Sequence, residues 1–189
     1  MYGFRIINFM ANKKKIEEKL DLIFNKYKNS FDKKVLSKEK TNRDLIMKIF
    51  NKTQNDVDVN KQYWNREFGK YFEYIVSSIF ALTRNDYKPG LRIKSDEVCD
   101  CIIGNLAIDV KYRVGSGDSG TLKKFRFYGN LLKEKGYIPI MLFLREDNLK
   151  AAITSINNGG WKIYSNEQMF DFVKKKSNFD LKEYFNSLT

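Results

Sequence analysis

The stretch CDCIIGNLAIDVKYRVGSGDSGT, residues 99–121, decides how the chain is read. Its first half is two short apolar runs separated by Gly104-Asn105, a pair that signals a two-residue β-hairpin turn. With those residues in the turn, antiparallel pairing sets Ile103 opposite Leu106, Ile102 opposite Ala107, Cys101 opposite Ile108 and Asp100 opposite Asp109. Alternation then places Lys111 on the face of Asp109 and sends Cys99, Cys101, Ile103, Leu106, Ile108 and Val110 to the other, apolar face. One face is expected to be core and the other to carry two carboxylates and an ammonium. Like charges opposed across a ladder are destabilising, and a neighbouring lysine offsets this only in part. A divalent cation resolves the conflict, because hard carboxylate oxygens suit Mg²⁺ with its retained waters. Carboxylates and a lysine on a strand are by themselves an ordinary solvated face. The opposing register, the apolar flanks and a glutamate-bearing helix upstream set this hairpin apart.

Upstream, QYWNREFGKYFEYIVSSIFALT (62–83) has Trp64, Phe68, Tyr71, Phe72, Ile75 and Ile79 at helical spacing, and Pro89-Gly90 closes off any continuation. Residues 12–51 fit two or three amphipathic helices, and the polar NKTQNDVDVNK reads as a joint, giving an N-terminal helical arm over 1–60 and a main domain over 61–189. Between the long helix and the hairpin, LRIK reads as a strand. Beyond the hairpin, TLKKFRFYGNLLKEKG resumes helical spacing and YIPIMLFL reads as a buried strand. NLKAAITSINNGG is a helix, WKIYS a strand and NEQMFDFVKKK a closing helix. The fold class is therefore α/β, with a mixed sheet flanked by helices.

Composition narrows the chemistry. Lys and Arg number 35 against 23 acidic residues, a formal charge of +12, which favours a polyanionic partner. Part of that excess belongs to a generally lysine-rich surface. There is no histidine, which removes histidine-dependent nucleases and hydrolases, so hydrolysis here must run on carboxylates, lysine and metal. The two cysteines, one residue apart, are poorly placed for a disulfide and cannot complete a zinc shell, so they read as buried free thiols. No apolar run reaches the roughly eighteen residues of a membrane span and the N-terminus lacks signal-peptide order, so a cytoplasmic protein without membrane association is expected.

Asp100, eight intervening residues and then Asp109-Val110-Lys111 resemble the signature of the PD-(D/E)xK nuclease superfamily. The order helix, three strands, helix, strand over Gln62 to Leu144 is similar to the αβββαβ core of that superfamily, the restriction-endonuclease-like fold. The chain departs from the signature where Cys99 stands in place of proline. The longer string DVKYRVGSGDSGTLKKF resembles type II restriction endonucleases, in particular the ApaLI-like group. The resemblance implies that Asp100 and Asp109 hold Mg²⁺, with the Val110 carbonyl as a further ligand, and that Lys111 stabilises the phosphate and orients or deprotonates the attacking water. It also implies a helix glutamate. Glu73, one turn after Gly69, matches better than Glu67, and Gly69 is expected to let the helix approach the sheet. The alternative for Glu73 is a surface glutamate paired with Lys70 or a neighbour, while Asp96 and Glu97 are substitutes for Asp100 if the turn register slips by one or two residues.

After the hairpin, RVGSGDSGTLKK combines backbone freedom, short hydroxyls and charge. Arg113, Ser116, Gly117, Asp118, Ser119, Thr121, Lys123 and Lys124 are the candidate DNA-binding residues, with Ser119 or Thr121 as the helix cap. No G-x-x-x-x-G-K-[ST] pattern occurs, which disfavours a nucleotide-phosphate loop. Base-reading residues are sought in KNSFDKKVLSKEKTNRD or NNGGWK, and Trp64 and Trp161 are read as core. The resemblance implies a homodimer on palindromic duplex DNA and a cognate DNA methyltransferase in the same system. Two rivals stay open, a structure-selective nuclease of the same superfamily and a non-enzymatic basic DNA-binding module.

Overall fold

Apolar residues at Ile16, Leu20, Tyr27 and Phe31 return to one side of a helix, and all four are buried. A computed structural model describes residues 2–32, 43–115 and 118–189, with side chains from Lys13 onward. In chain order the first elements are α1 (Tyr2–Asp32), α2 (Leu45–Ile49), α3 (Gln54–Val59), α4 (Lys61–Thr83), β1 (Tyr87–Pro89), β2 (Arg92–Ile93) and β3 (Asp96–Glu97). Next come β4 (Cys101–Ile103), β5 (Leu106–Lys111), α5 (Ser119–Glu134), β6 (Ile138–Phe143), α6 (Lys150–Asn158), β7 (Lys162–Ser165), α7 (Glu167–Ser177) and α8 (Leu181–Ser187). No helix among the described residues is long and apolar enough to cross a membrane. Contacts divide the chain into two units, residues up to Thr83 together with Val173–Thr189, and Arg84–Phe172.

The first unit is helical and its core is aromatic. Phe31, in the last turn of α1, meets Phe50 at 4.4 Å, Trp64 at 5.1 Å and Phe68 at 5.6 Å between ring centroids, all edge to face. Such pairs add about 0.5–1.5 kcal/mol each beyond the area they bury. The stretch expected to be a polar joint is instead capped helix. Thr53 and Asp56 form a reciprocal capping box that starts α3, which the turn-forming composition of NKTQND concealed. NEQMFDFVKKK is not the closing helix either, because α8 follows it, capped by Asp180 and burying Leu181, Tyr184 and Phe185. The Tyr184 hydroxyl donates to Asp21 on α1 at 2.7 Å and ties this last helix down. Gly69 does not serve a close approach, since a Cβ there would meet nothing within 4 Å.

The second unit is a mixed five-stranded sheet in the order β1-β4-β5-β6-β7 with α5 and α6 packed on it. β1, β4 and β5 are antiparallel neighbours, and β5, β6 and β7 run parallel, their crossovers supplied by α5 and α6. The hairpin register is the expected one, Cys101 with Ile108, Ile102 with Ala107 and Ile103 with Leu106, and Gly104 takes the turn at φ 57°. The strand that completes the sheet differs from expectation. Tyr87–Pro89 pairs with β4 from the edge, where proline costs no ladder bond, while LRIK forms a separate two-stranded ribbon with Asp96–Glu97.

Both sheet faces are core, which corrects the expectation of one apolar and one chemical face. Ile102, Ala107, Met141 and Phe143 pack in one cluster with Leu132, Ala152 and Trp161, while Cys101, Ile103, Ile108, Val110, Ile140 and Leu142 are buried too. Parallel strands covered on both faces read as continuous apolar runs, and β6 does so. At Gly129 a Cβ would overlap Gly159 and the Trp161 ring, so glycine is required for α5 to meet the turn after α6. The Trp161 indole donates to the Phe125 carbonyl at 2.8 Å. Trp161 and Trp64 are both buried, as expected of core residues.

Candidate active site at the hairpin mouth

Asp100 leaves the ladder at the point where the hairpin opens. Its N–H donates to the Ile108 carbonyl at 2.9 Å while Cys101 is the Cα partner of Ile108, so two residues face one, as in a β-bulge. The bulge resets alternation. Cys99 therefore packs in the cluster with Ile102 and Ala107 rather than on the side of Cys101. Asp100 is thus not a ladder partner of Asp109, as strict pairing required. Its Oδ2 accepts the Val110 N–H at 2.6 Å, taking the place of a backbone carbonyl. Gly90 permits this course, because a Cβ there would overlap the Cys99 carbonyl and crowd the Asp100 backbone.

Asp109 and Lys111 come from the second half of β5, flanked in parallel register by Met141 and Phe143. The Lys111 ammonium donates to Asp109 Oδ1 at 2.7 Å and to the Val110 carbonyl at 3.4 Å, and lies 3.7 Å from Asp100 Oδ2. The three residues singled out from the hairpin thus converge, by a route that includes an unforeseen bulge. A Glu97 carboxylate oxygen also lies within 4.8 Å of one on Asp100. The sequence by itself offers Glu97 only as a substitute for Asp100. The ribbon turn and the bend between Glu97 and Asp100 bring both carboxylates together, and only the unusual closeness of two acidic positions hinted at it.

Electrostatics follow from burial. Asp109 is buried, and desolvation pushes its carboxyl up to about 7 even though Lys111 pulls it down, with the Asp100 charge adding to the rise. Counted formally as ionised groups, Asp100, Asp109 and Lys111 carry one net negative charge, and Glu97 adds another. The donor set is all oxygen, two carboxylates, the Val110 carbonyl and nearby Glu97, which is the set a hard divalent cation such as Mg²⁺ takes. A cation here would relieve the desolvation penalty that burial imposes on Asp109. Burial raises the Cys99 thiol to about 11, so it stays protonated and inert, and neither cysteine is in a disulfide and both are buried, as expected.

Glu73 lies on α4 in the helical unit and is half-buried. Its charge is felt by Tyr27, whose hydroxyl is pushed up to about 12 by burial first and by Tyr74, Glu67 and Glu73 after it. Lys70, the pairing partner considered for Glu73, instead lies 3.3 Å from Glu67, which also meets Arg66 at 3.0 Å.

The loop residues divide. Arg113 bonds the Asp147 carbonyl and carboxylate at 3.0 Å each, so its guanidinium anchors the segment after β6. Neither Ser119 nor Thr121 caps α5. The cap is Asp118, whose carboxylate accepts the Thr121 N–H at 2.9 Å and the Thr121 hydroxyl at 2.7 Å. An ionised carboxylate accepts both donors and complements the helix dipole, which a hydroxyl cannot match. Lys123 and Lys124 are exposed on α5, Lys124 pairing with Asp96 at 3.1 Å. Ser116 and Gly117, and much of the KNSFDKKVLSKEKTNRD segment, lie outside the described residues. No family model, curated protein or solved structure matches the chain.

Proposed function

We propose that this protein is a Mg²⁺-dependent deoxyribonuclease of the PD-(D/E)xK type, cutting double-stranded DNA at specific sequences as a restriction endonuclease does. The observation that carries the reading is the convergence of Asp100, Asp109 and Lys111 on one another across a hairpin mouth, with Asp109 desolvated and Lys111 within 4 Å of both carboxylates. Asp100, Asp109 and the Val110 carbonyl would hold the ion. Mg²⁺, when bound, supplies charge for the phosphate and makes water more acidic. The Lys111 ammonium, next to both carboxylates, would bear on the scissile phosphate and orient the attacking water. Water oxygen would attack phosphorus as one P–O ester bond breaks, the water giving up a proton to solvent and the departing oxygen taking one up. The formal charge of +12 supports a phosphate-backbone contribution to binding, to which Lys123 and Lys124 are suited.

Site-specific cutting of palindromic duplexes would be matched by a homodimer, and the host would need a methyltransferase of the same specificity. The test is to incubate the full-length protein with unmethylated phage DNA in Mg²⁺ or in EDTA and to sequence the fragment ends. Discrete Mg²⁺-dependent fragments sharing a terminal sequence support the reading. A smear removes its sequence-specific part, and no cleavage in Mg²⁺ removes the nuclease reading.

A further inference from the structure

Helix α5 carries an exposed edge, Lys123, Lys124 and Phe127, beside Tyr128, which is partly buried against the core. Leu122, Phe125 and Leu132 pack into the core, while Lys123, Lys124, Phe127 and Tyr128, two overlapping i, i+4 pairs, border a groove of about 420 Å³ beneath the turn of the β2–β3 ribbon. That volume lies in the range of small-ligand sites. Phe127 is 60 % exposed, so folding leaves an aromatic ring in water at the groove wall. It is not a stray surface hydrophobe, since Tyr128 lies beside it at 5.7 Å between centroids and Ile93 lines the same wall.

The charged groups of the groove leave an excess of one sign once its internal bonds are counted. Asp96 accepts the Tyr128 hydroxyl at 2.6 Å and the Lys124 ammonium at 3.1 Å, which fixes the Tyr128 ring against the ribbon and neutralises one lysine. Lys94 and Lys123 make no ion pair among the described residues, so the lip keeps an excess of positive charge. Lys94 occupies the ribbon turn at φ 55°, a conformation that glycine or asparagine adopts more readily, and the lysine found there puts a cation at the lip. An exposed ring flanked by unpaired cations suits a ligand that alternates flat π-faces with phosphates.

We propose that this groove holds an unpaired nucleotide of a DNA strand, its base stacked on Phe127 and its flanking phosphates on Lys94 and Lys123. A fully paired duplex buries its base faces and could use only the lysines. The proposal therefore adds to duplex cleavage a contact with bases outside the helix, and it stands whether or not Asp109 and Lys111 cut DNA.

The test is equilibrium binding of the full-length protein, in EDTA so that nothing is cleaved, to a fluorescein-labelled oligo(dT) and to an abasic oligonucleotide of the same length. At about 0.1 M salt, where distant surface charges are screened, the wild type is expected to bind oligo(dT) about tenfold more tightly than the abasic strand. Phe127→Ala should erase that preference while leaving abasic affinity unchanged, and Phe127→Trp should retain it. Lys94→Gln should weaken both oligonucleotides alike. Equal binding of the two strands by the wild type overturns the proposal. So does a preference that survives Phe127→Ala, or a Phe127→Ala loss that falls equally on both strands.

Discussion

Two aspartates are buried among the described residues, Asp56 at the start of α3 and Asp109 on β5, and their surroundings differ in kind. Asp56 Oδ2 accepts the Thr53 N–H and hydroxyl, both at 2.8 Å, from a residue three positions away. Those donors are neutral and supplied by the turn that α3 needs in order to begin. Asp109 faces the Lys111 ammonium and a second carboxylate, Asp100, brought in by the bulge just before β4. Local neutral donors make a buried carboxylate part of the scaffold. A second carboxylate brought in from a bulge outside the ladder, answered by a lysine ammonium, makes a place suited to an ion or a phosphate.

The largest test of that contrast is activity. Asp109→Asn and Lys111→Ala are each expected to lower Mg²⁺-dependent cleavage about 10²–10³-fold or more while DNA binding stays measurable by gel shift. Asp56→Ala should leave cleavage of correctly folded protein intact. Wild-type rates in both site variants would remove the site assignment.

A second test reads the same burial as pH dependence without metal. The Asp109 carboxyl titrates higher in the folded chain than the value of about 3.9 it has unfolded, so the folded state is the one that binds the proton more tightly. The associated stability is fully present below about pH 4 and is lost as pH rises through about 7. Denaturation midpoints in EDTA should therefore show a component that falls across this window and is absent from Asp109→Asn. A window unchanged by that substitution would mean that Lys111 compensates the buried charge completely.

Smaller effects belong to the helical unit. Asp56→Ala removes one half of the capping box and should cost about 1–2 kcal/mol in urea unfolding. Smallest is Gly69→Ala, whose Cβ would meet nothing within 4 Å at this half-buried position of α4 and which should stabilise by about 0.5–1 kcal/mol. A destabilising result would mean that Gly69 serves a close approach after all.

Much of the sheet was legible because its signals are local. Gly104-Asn105 sets the turn and the turn sets the register from Cys101 to Leu106, so spacing alone assigns Asp109 and Lys111 to one strand. LRIK misled because an apolar-polar alternation does not say which sheet a strand joins, and β1 was hidden because Pro89 argues against a strand everywhere except at an edge. Helix α8 carried a readable signal, Asp180 followed by Leu181, Tyr184 and Phe185. The Asp118 cap, by contrast, was masked by three neighbouring hydroxyls able to do the same work.

By itself the sequence determined the chemistry within reach, with no histidine, two aspartates and a lysine at hairpin spacing, and a strongly basic balance. Composition and turn geometry act over a few residues, and nothing distant revises them. Only the tertiary structure decided that Asp100 bulges and bonds the Val110 N–H, that Glu97 folds back beside it, and that Phe127 stays in water beside the ribbon. Each of those depends on backbones far apart in the chain meeting, at Gly90 against Cys99 or at the ribbon turn above α5, and no local period encodes such a meeting.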